Sequence, residues 1–143
     1  LRYYELGKFC RYTPRMRYLG IDYGTKRAGI AISDDAGGFA FPRETLPTDE
    51  RLFDTLARII QEEKVGAIII GDARALSGAE NALTAEAEVF ARELEERTQL
   101  PVHRTREAWS SQEAARFAPK GKKHDDSAAA AIILQRFLDA HAR

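Results

Sequence analysis

An aspartate at the end of a predicted strand is the residue best suited to chemistry in this sequence. Asp22 follows Leu19 and Ile21, which alternate with smaller neighbours as in a half-buried strand, and it precedes Gly24 at a tight turn. A buried carboxylate is costly unless a cation pairs with it or it binds a metal. The pattern therefore predicts a cation site at Asp22. The alternative is an ordinary hairpin whose aspartate accepts hydrogen bonds from its own turn.

A second acidic position is the pair Asp125 and Asp126, at the start of the last predicted helix. Ala130 and Ile133 follow Asp126 at helical spacing, so Asp126 shares their apolar side. Asp125 shares its side with Arg136 and is the better helix N-cap. The spacing indicates that Asp126 points toward a sheet. The alternative is that both acids only cap the helix.

Carboxylates gathered in one place form a site for divalent cations. Two carboxylates about 4 Å apart repel each other by about 4 kcal/mol at an effective dielectric of about 20. Their hard oxygen atoms favour Mg²⁺ or Mn²⁺, and two such ions can activate a water and stabilise the leaving oxygen of a phosphodiester. Other chemistries lack their residues, because there is no zinc spacing of His and Cys, no Gly-x-Ser-x-Gly elbow and no P-loop ending.

Several basic and hydroxyl side chains are candidates for contacts with the phosphates of a nucleic acid. The chain has 22 basic and 22 acidic residues, so its overall charge gives no sign of nucleic-acid binding, and the local distribution matters more. For each single residue, solvated surface is the alternative. The candidates are Thr25, Lys26, Arg27, Arg74, Lys120, Lys122 and Lys123.

Strands and helices alternate along the chain as in an α/β domain. Pro42 places the third strand at a sheet edge, and the continuous apolar run 65–70 indicates a central parallel strand. Thr48 or Asp49 is expected to cap the first helix. The predicted strands lie near 19–22, 28–32, 39–45, 65–70 and 101–105, and the predicted helices near 52–60, 83–94, 110–117 and 125–140.

Composition is that of one globular domain. Of the 143 residues, 44% are hydrophobic and 31% are charged. No apolar run approaches the roughly 20 residues needed to span a bilayer, and no secretory signal is visible. Cys10 is the single cysteine, which excludes an internal disulfide and fits the expected cytoplasmic location. Residues 1–15 lack periodicity, so we expect an N-terminal extension, either non-native or disordered, before one domain over 16–143.

The run from Leu19 to Asp34 resembles the YqgF/RuvX family of Holliday-junction-resolvase-like nucleases, in the RNase H-like superfamily. It reads Leu-Gly-Ile-Asp-Tyr-Gly-Thr-Lys-Arg-Ala-Gly-Ile-Ala-Ile-Ser-Asp, and the Ala-rich helix ending at Asp139 is similar to the last helix of that family. Actin-like ATPases and sugar kinases share the strand-Asp-x-Gly-strand unit but need two such domains. The resemblance implies an RNase H-like α/β fold, with a five-stranded mixed sheet and helices on both faces.

The same resemblance implies three catalytic carboxylates, Asp22, Glu107 and Asp126, which would also be the ligands of Mg²⁺ or Mn²⁺. Glu107 lies where the family has Asp-Glu-Arg, but here its neighbours are Arg106 and Ala108. The departure affects the local charge and the expected phosphate contacts. The alternative for Glu107 is a surface residue near a helix start, where the helix dipole favours an acid.

A further departure follows the fourth strand. The family usually has Gly-Leu-Pro there, whereas this chain has Gly71, Asp72 and Ala73. Asp72 lies at the same end of the predicted sheet as the other acids. It is either an additional ligand or, as we prefer, a loop residue.

The implied activity is metal-dependent hydrolysis of phosphodiesters in structured nucleic acid. Cleavage of Holliday junctions in recombination and repair is the main interpretation, and it requires a homodimer because a two-fold substrate is matched by a two-fold protein. The first alternative is trimming of the 5′ end of pre-16S rRNA, for which a monomer suffices. A nucleic-acid-binding module without nuclease activity is the second. No residue distinguishes DNA from RNA as the substrate.

Overall fold

The computed structural model describes residues 16–71, 82–105 and 126–141, which form five strands and three helices. The strands are β1 (Arg17–Tyr23), β2 (Arg27–Ser33), β3 (Ala40–Pro47), β4 (Val65–Gly71) and β5 (Val102–Thr105). The helices are α1 (Leu52–Glu63), α2 (Ala82–Thr98) and α3 (Asp126–Ala140).

All five strands form one mixed sheet in the order β3-β2-β1-β4-β5. β2 pairs antiparallel with β1 and β3, while β4 pairs parallel with β1 and β5. Consequently β1, β4 and β5 all end at the same edge of the sheet, and β2 begins there. Asp22, near the end of β1, lies between Gly29 of β2 and Gly71 of β4.

Helices α1 and α2 cover one face of the sheet with large apolar side chains. Leu56 and Ile59 of α1 and Leu94 of α2 are fully buried against the strands. The sheet contributes Leu19, Ile21, Ala28, Ile30, Ile68 and Ile70 to this core. Burial of each such side chain stabilises the fold by about 1.5–3 kcal/mol.

Helix α3 covers the other face, where small residues lie among larger ones such as Ile69, Ile133 and Leu134. Its buried run from Ser127 to Leu134 includes four successive alanines. A Cβ atom built on Gly20 would lie 2.8 Å from Cβ of Leu134, and one built on Gly71 would overlap the side chain of Ile133. The helix thus packs directly onto the backbone of the strands.

The observed sheet and the helices on both faces confirm the predicted fold. β3 is an edge strand, as Pro42 predicted, and β4 lies inside the sheet. One detail was wrong: neither Thr48 nor Asp49 is the N-cap of α1. The N-cap is Arg51, whose side chain forms no capping hydrogen bond, and Oδ1 of Asp49 accepts a hydrogen bond from the Arg51 amide.

Two predicted segments, the extension over 1–15 and the helix over 110–117, lie outside the residues that the structure describes. None of the helices found within the described ranges is both long enough and apolar enough to cross a membrane.

Candidate active site

The register of the sheet determines the face to which Asp22 projects. Asp22 is directly opposite Gly29 in the antiparallel pairing of β1 with β2. Residues opposite each other project to the same face, with Cβ atoms about 5 Å apart. A Cβ atom built on Gly29 would overlap the main-chain carbonyl of Asp126 and lie 2.9 Å from its Cβ. Asp22 and Asp126 therefore share one face at the edge where β1 ends.

Gly29 makes this arrangement possible. Any side chain at Gly29 would force the first turn of α3 away from the sheet, and Asp126 is the first residue of that helix. An acidic residue in the first turn is also favoured by the helix dipole. The sequence contained one signal for this contact, because a glycine inside a strand often marks a close approach of another backbone.

An ion pair lies on the side of the site next to the β1–β2 turn. Nε of Arg27 donates a hydrogen bond to Oδ2 of Asp126 over 2.9 Å. Arg27 lies two residues before Gly29 in β2. Both positions project to the same face because strand side chains alternate. Its side chain is 60% exposed, whereas that of Asp126 is 14% exposed. The carboxylate is thus largely covered, and the guanidinium faces solvent.

Two residues of the turn between β1 and β2 are also exposed. Thr25 and Lys26 lie between β1 and β2 with their side chains in solvent. Thr48 fixes the turn from behind: its hydroxyl donates to the carbonyl of Gly24 over 2.8 Å, and its amide donates to the carbonyl of Lys26 over 2.9 Å. A fixed, exposed cationic turn beside two carboxylates is suited to holding a phosphate backbone.

An aromatic cluster anchors the end of β1 on the opposite face. The ring of Tyr23 stacks on Phe90 with centroids 4.6 Å apart, and Phe90 stacks on Phe53 at 5.1 Å. Burial, followed by the nearby carboxylate of Glu86, raises the pKa of the Tyr23 phenol. The phenol therefore stays protonated at neutral pH. Residue-pattern reasoning did not find this cluster, whose members come from three separate elements.

The structure brings together Asp22, Asp126 and Arg27, with Thr25 and Lys26 on the adjoining turn. The remaining predicted site residues lie outside the described part of the chain: Glu107, Arg74, Asp72, Asp125, Lys120, Lys122 and Lys123. Within 16–71, 82–105 and 126–141, no three His, Cys, Asp or Glu side chains are grouped closely enough to hold a metal. Glu107, the proposed third carboxylate, is not among those residues.

Solved structures define the class of this fold. The chain is similar to a T. thermophilus RuvC in complex with a Holliday junction substrate, with a TM-score of 0.53 and 17% identity over 87% of this chain and 94% of that one. It is also similar to the fowlpox virus resolvase, with a TM-score of 0.56 and 14% identity over 90% of this chain and 100% of that one. The chain therefore has the RNase H-like fold of these resolvases.

Sequence comparison then gives the family. Residues 16–140 match the family model described as "RuvX: Holliday junction resolvase". A relative from Maridesulfovibrio salexigens, named "Putative pre-16S rRNA nuclease", is 42% identical over 86% of this chain and 98% of its own length. A relative of the same name from Lactobacillus helveticus is 31% identical over 88% of this chain and 98% of its own length. This chain belongs to the RuvX family of nucleases, as its motifs predicted.

Proposed function

We propose that this protein is a divalent-metal-dependent nuclease that trims the 5′ end of pre-16S rRNA. The observation that carries the proposal is the placement of Asp126 on the same face as Asp22, at the edge of the sheet where three strands end. The substrate is inferred from the names of the full-length relatives. They favour the ribosomal alternative over junction cleavage, which was the main interpretation of the sequence. Such processing would take place in the cytoplasm.

The donor set fits Mg²⁺ or Mn²⁺. Asp22 and Asp126 offer only carboxylate oxygens, which these hard cations prefer, and Glu107 is proposed as the third ligand. When bound, the ions would supply activation of a water and stabilisation of the leaving oxygen of a phosphodiester. The close packing of α3 would hold Asp126 in place for this role, since its helix cannot move inward past Gly29.

The cationic turn would bind and orient the substrate. Arg27 presents an exposed guanidinium, whose planar donors suit phosphate oxygens. Lys26 and Thr25 are exposed beside it. Contacts of this kind hold the backbone of a nucleic acid without reading its sequence. Arg74, Lys120, Lys122 and Lys123 are proposed to extend the same phosphate-binding surface.

Holliday junction cleavage is the second candidate function. It is supported by the description of the matching family model, which names a Holliday junction resolvase. Symmetric cutting of a four-way junction would require two sites, hence a homodimer. The oligomeric state in solution therefore bears directly on the choice between the two substrates.

The test is a cleavage assay with Mn²⁺ or Mg²⁺ on three labelled substrates: a precursor-like RNA, a four-way DNA junction and its matched linear duplex. The wild type, Asp126→Asn and the control Asp139→Asn are compared. Asp139 lies near the other end of α3, where it accepts a hydrogen bond from Gln135. We expect RNA cleavage by the wild type and Asp139→Asn, with loss in Asp126→Asn.

Paired symmetric cuts in the junction, with the RNA left intact, would replace the ribosomal proposal by the resolvase. Cleavage that survives in Asp126→Asn would contradict the role of this carboxylate. Binding of nucleic acid with no cleavage of any substrate would instead indicate a non-catalytic binding module.

A further inference from the structure

The contact between Arg27 and Asp126 joins two groups that the proposed function uses for different purposes. Asp126 is a proposed cation ligand, and Arg27 is a proposed phosphate contact. In the structure Nε of Arg27 instead lies 2.9 Å from Oδ2 of Asp126. The guanidinium thus occupies one of the oxygens that a divalent cation would use.

The guanidinium and a divalent cation would compete for that oxygen. A guanidinium and a divalent cation carry like charges and repel each other. A cation should therefore bind Oδ2 more favourably once Arg27 has moved away. Among the described residues the packing allows this movement, since the Arg27 side chain is 60% exposed and Arg27 begins β2 directly after an exposed turn.

We infer that Arg27 is an exchange residue: its guanidinium neutralises Asp126 in the metal-free protein and transfers to a substrate phosphate when a cation occupies the carboxylates. The inference rests on the proposed function and adds a role for one residue in the order of binding. Without substrate, Arg27 competes with the cation. With substrate bound, the guanidinium binds the phosphate instead and no longer competes with the cation for Asp126.

This exchange couples the two ligands. A phosphodiester that attracts Arg27 makes Asp126 available, so it strengthens cation binding, and by linkage the cation strengthens phosphate binding to the same degree. The protein would then bind the cation weakly on its own and more tightly when nucleic acid is present. Arg27 carries this coupling, so its removal should uncouple the two binding events.

Two simpler roles for Arg27 predict different results. If Arg27 only contacts phosphate, its removal leaves cation binding unchanged. If Arg27 only orients Asp126 as a ligand, its removal weakens cation binding. Exchange predicts that the cation binds more tightly after Arg27 is removed, and by more than after removal of the neighbouring Lys26 charge.

The experiment is a calorimetric titration of Mn²⁺, without nucleic acid, into the wild type, Arg27→Gln, Lys26→Gln and Asp126→Asn. We expect Arg27→Gln to lower the Kd for Mn²⁺ about two- to fivefold, the range that an exposed ion pair contributes. Lys26→Gln removes the same charge from the neighbouring residue without breaking an ion pair to Asp126, and it should change the Kd less. An equal or higher Kd in Arg27→Gln would overturn the exchange.

A second variant tests whether the introduced glutamine itself changes the Kd for Mn²⁺. Arg27→Met keeps the aliphatic stem and lacks the guanidinium, so it should lower the Kd to the same extent. A cleavage assay adds an independent signature: Arg27→Gln should raise KM for nucleic acid while lowering the Mn²⁺ concentration that gives half-maximal rate. A rise in both constants would indicate a purely structural role and refute the exchange.

Failure of the exchange and failure of the proposed function give different results. If Asp126→Asn binds Mn²⁺ as well as the wild type, the cation site itself is wrong. If Asp126→Asn loses Mn²⁺ but Arg27→Gln binds it no more tightly than the wild type, the cation site stands and only the exchange is rejected.

Discussion

The two faces of the sheet are packed by different kinds of residue. On the face covered by α1 and α2, branched and aromatic side chains interdigitate, including Leu56, Leu94 and Phe90. On the face covered by α3, glycines of the strands lie against the helix, and at Gly29 the helix backbone lies directly on the strand. Both candidate carboxylates, Asp22 and Asp126, project to this second face.

The α1–α2 face mainly stabilises the fold, whereas the α3 face mainly positions the site. Large side chains bury more apolar area, so most of the hydrophobic stabilisation should come from the α1–α2 face. The glycines of the strands leave little freedom in the distance between α3 and the sheet, because the helix packs directly onto the strand backbone. A site built from one strand and one helix needs that fixed distance. We therefore expect mutations on the two faces to have different consequences.

The largest loss of stability is expected on the α1–α2 face. Leu94→Ala removes a fully buried side chain and should lower the free energy of unfolding by about 2–5 kcal/mol. Cleavage should be unchanged at a temperature where the variant remains folded, because α3 is not touched. Denaturant titration measures the stability, and a folded Leu94→Ala that cleaves poorly would contradict the division of roles.

A smaller loss of stability with a larger loss of activity is expected from Gly29→Ala. The added Cβ overlaps the Asp126 main chain, and overpacking of this kind costs about 1–3 kcal/mol. Because α3 must move away, Asp126 is displaced, and displacement of a catalytic group can slow a reaction on the order of 100-fold. Ile30→Val, at the next residue and on the other face, is the control and should retain activity.

Gly71 differs from Gly29 in what surrounds it. A Cβ at Gly71 would meet atoms of the Ile133 side chain, whereas a Cβ at Gly29 would meet main-chain atoms. Trimming Ile133 should therefore relieve Gly71→Ala, and the double variant Gly71→Ala with Ile133→Ala should be more stable than the two single losses predict, by at least about 0.5 kcal/mol. Additive losses, measured by denaturant titration, would show that the two sites do not interact.

The smallest effect expected is a pH dependence at the end of α3. His103 of β5 packs beside Phe137, with ring centroids 5.5 Å apart. Burial, and then the charge of His141, lowers the pKa of His103, although Glu95 acts in the opposite direction. The folded state then binds fewer protons than the unfolded state, so stability should fall as pH drops through the unfolded pKa of about 6.5.

Although part of the ring is buried, His103 as a whole is exposed. Solvent screening therefore limits the loss of stability to about a few tenths of a kcal/mol. Thermal unfolding of the wild type and His103→Gln at pH 7.5 and 5.5 measures it. The wild type should lose more stability than the variant between these pH values. A larger loss in the variant would contradict the predicted direction of the pH dependence.

The sequence predicted the elements and the faces better than the contacts between them. Period-two and helical spacing placed Asp22 at the end of a strand and Asp126 on the sheet side of the last helix, because these patterns depend on residues near in sequence. The Arg27 to Asp126 ion pair joins residues 99 positions apart, and the stacking of Tyr23 on Phe90 joins a strand to a helix. Such contacts depend on how the elements pack.

The central claim is that Asp22 and Asp126 form one cation site, and Mn²⁺ binding to a double-mutant cycle tests it most directly. Asp22→Asn, Asp126→Asn and the double variant are titrated beside the wild type by calorimetry. If both carboxylates bind the same cation, each single variant should lose most of the affinity, and the double variant should lose little more, because groups that act together are not additive. Wild-type affinity in either single variant, or fully additive losses, would contradict a shared site.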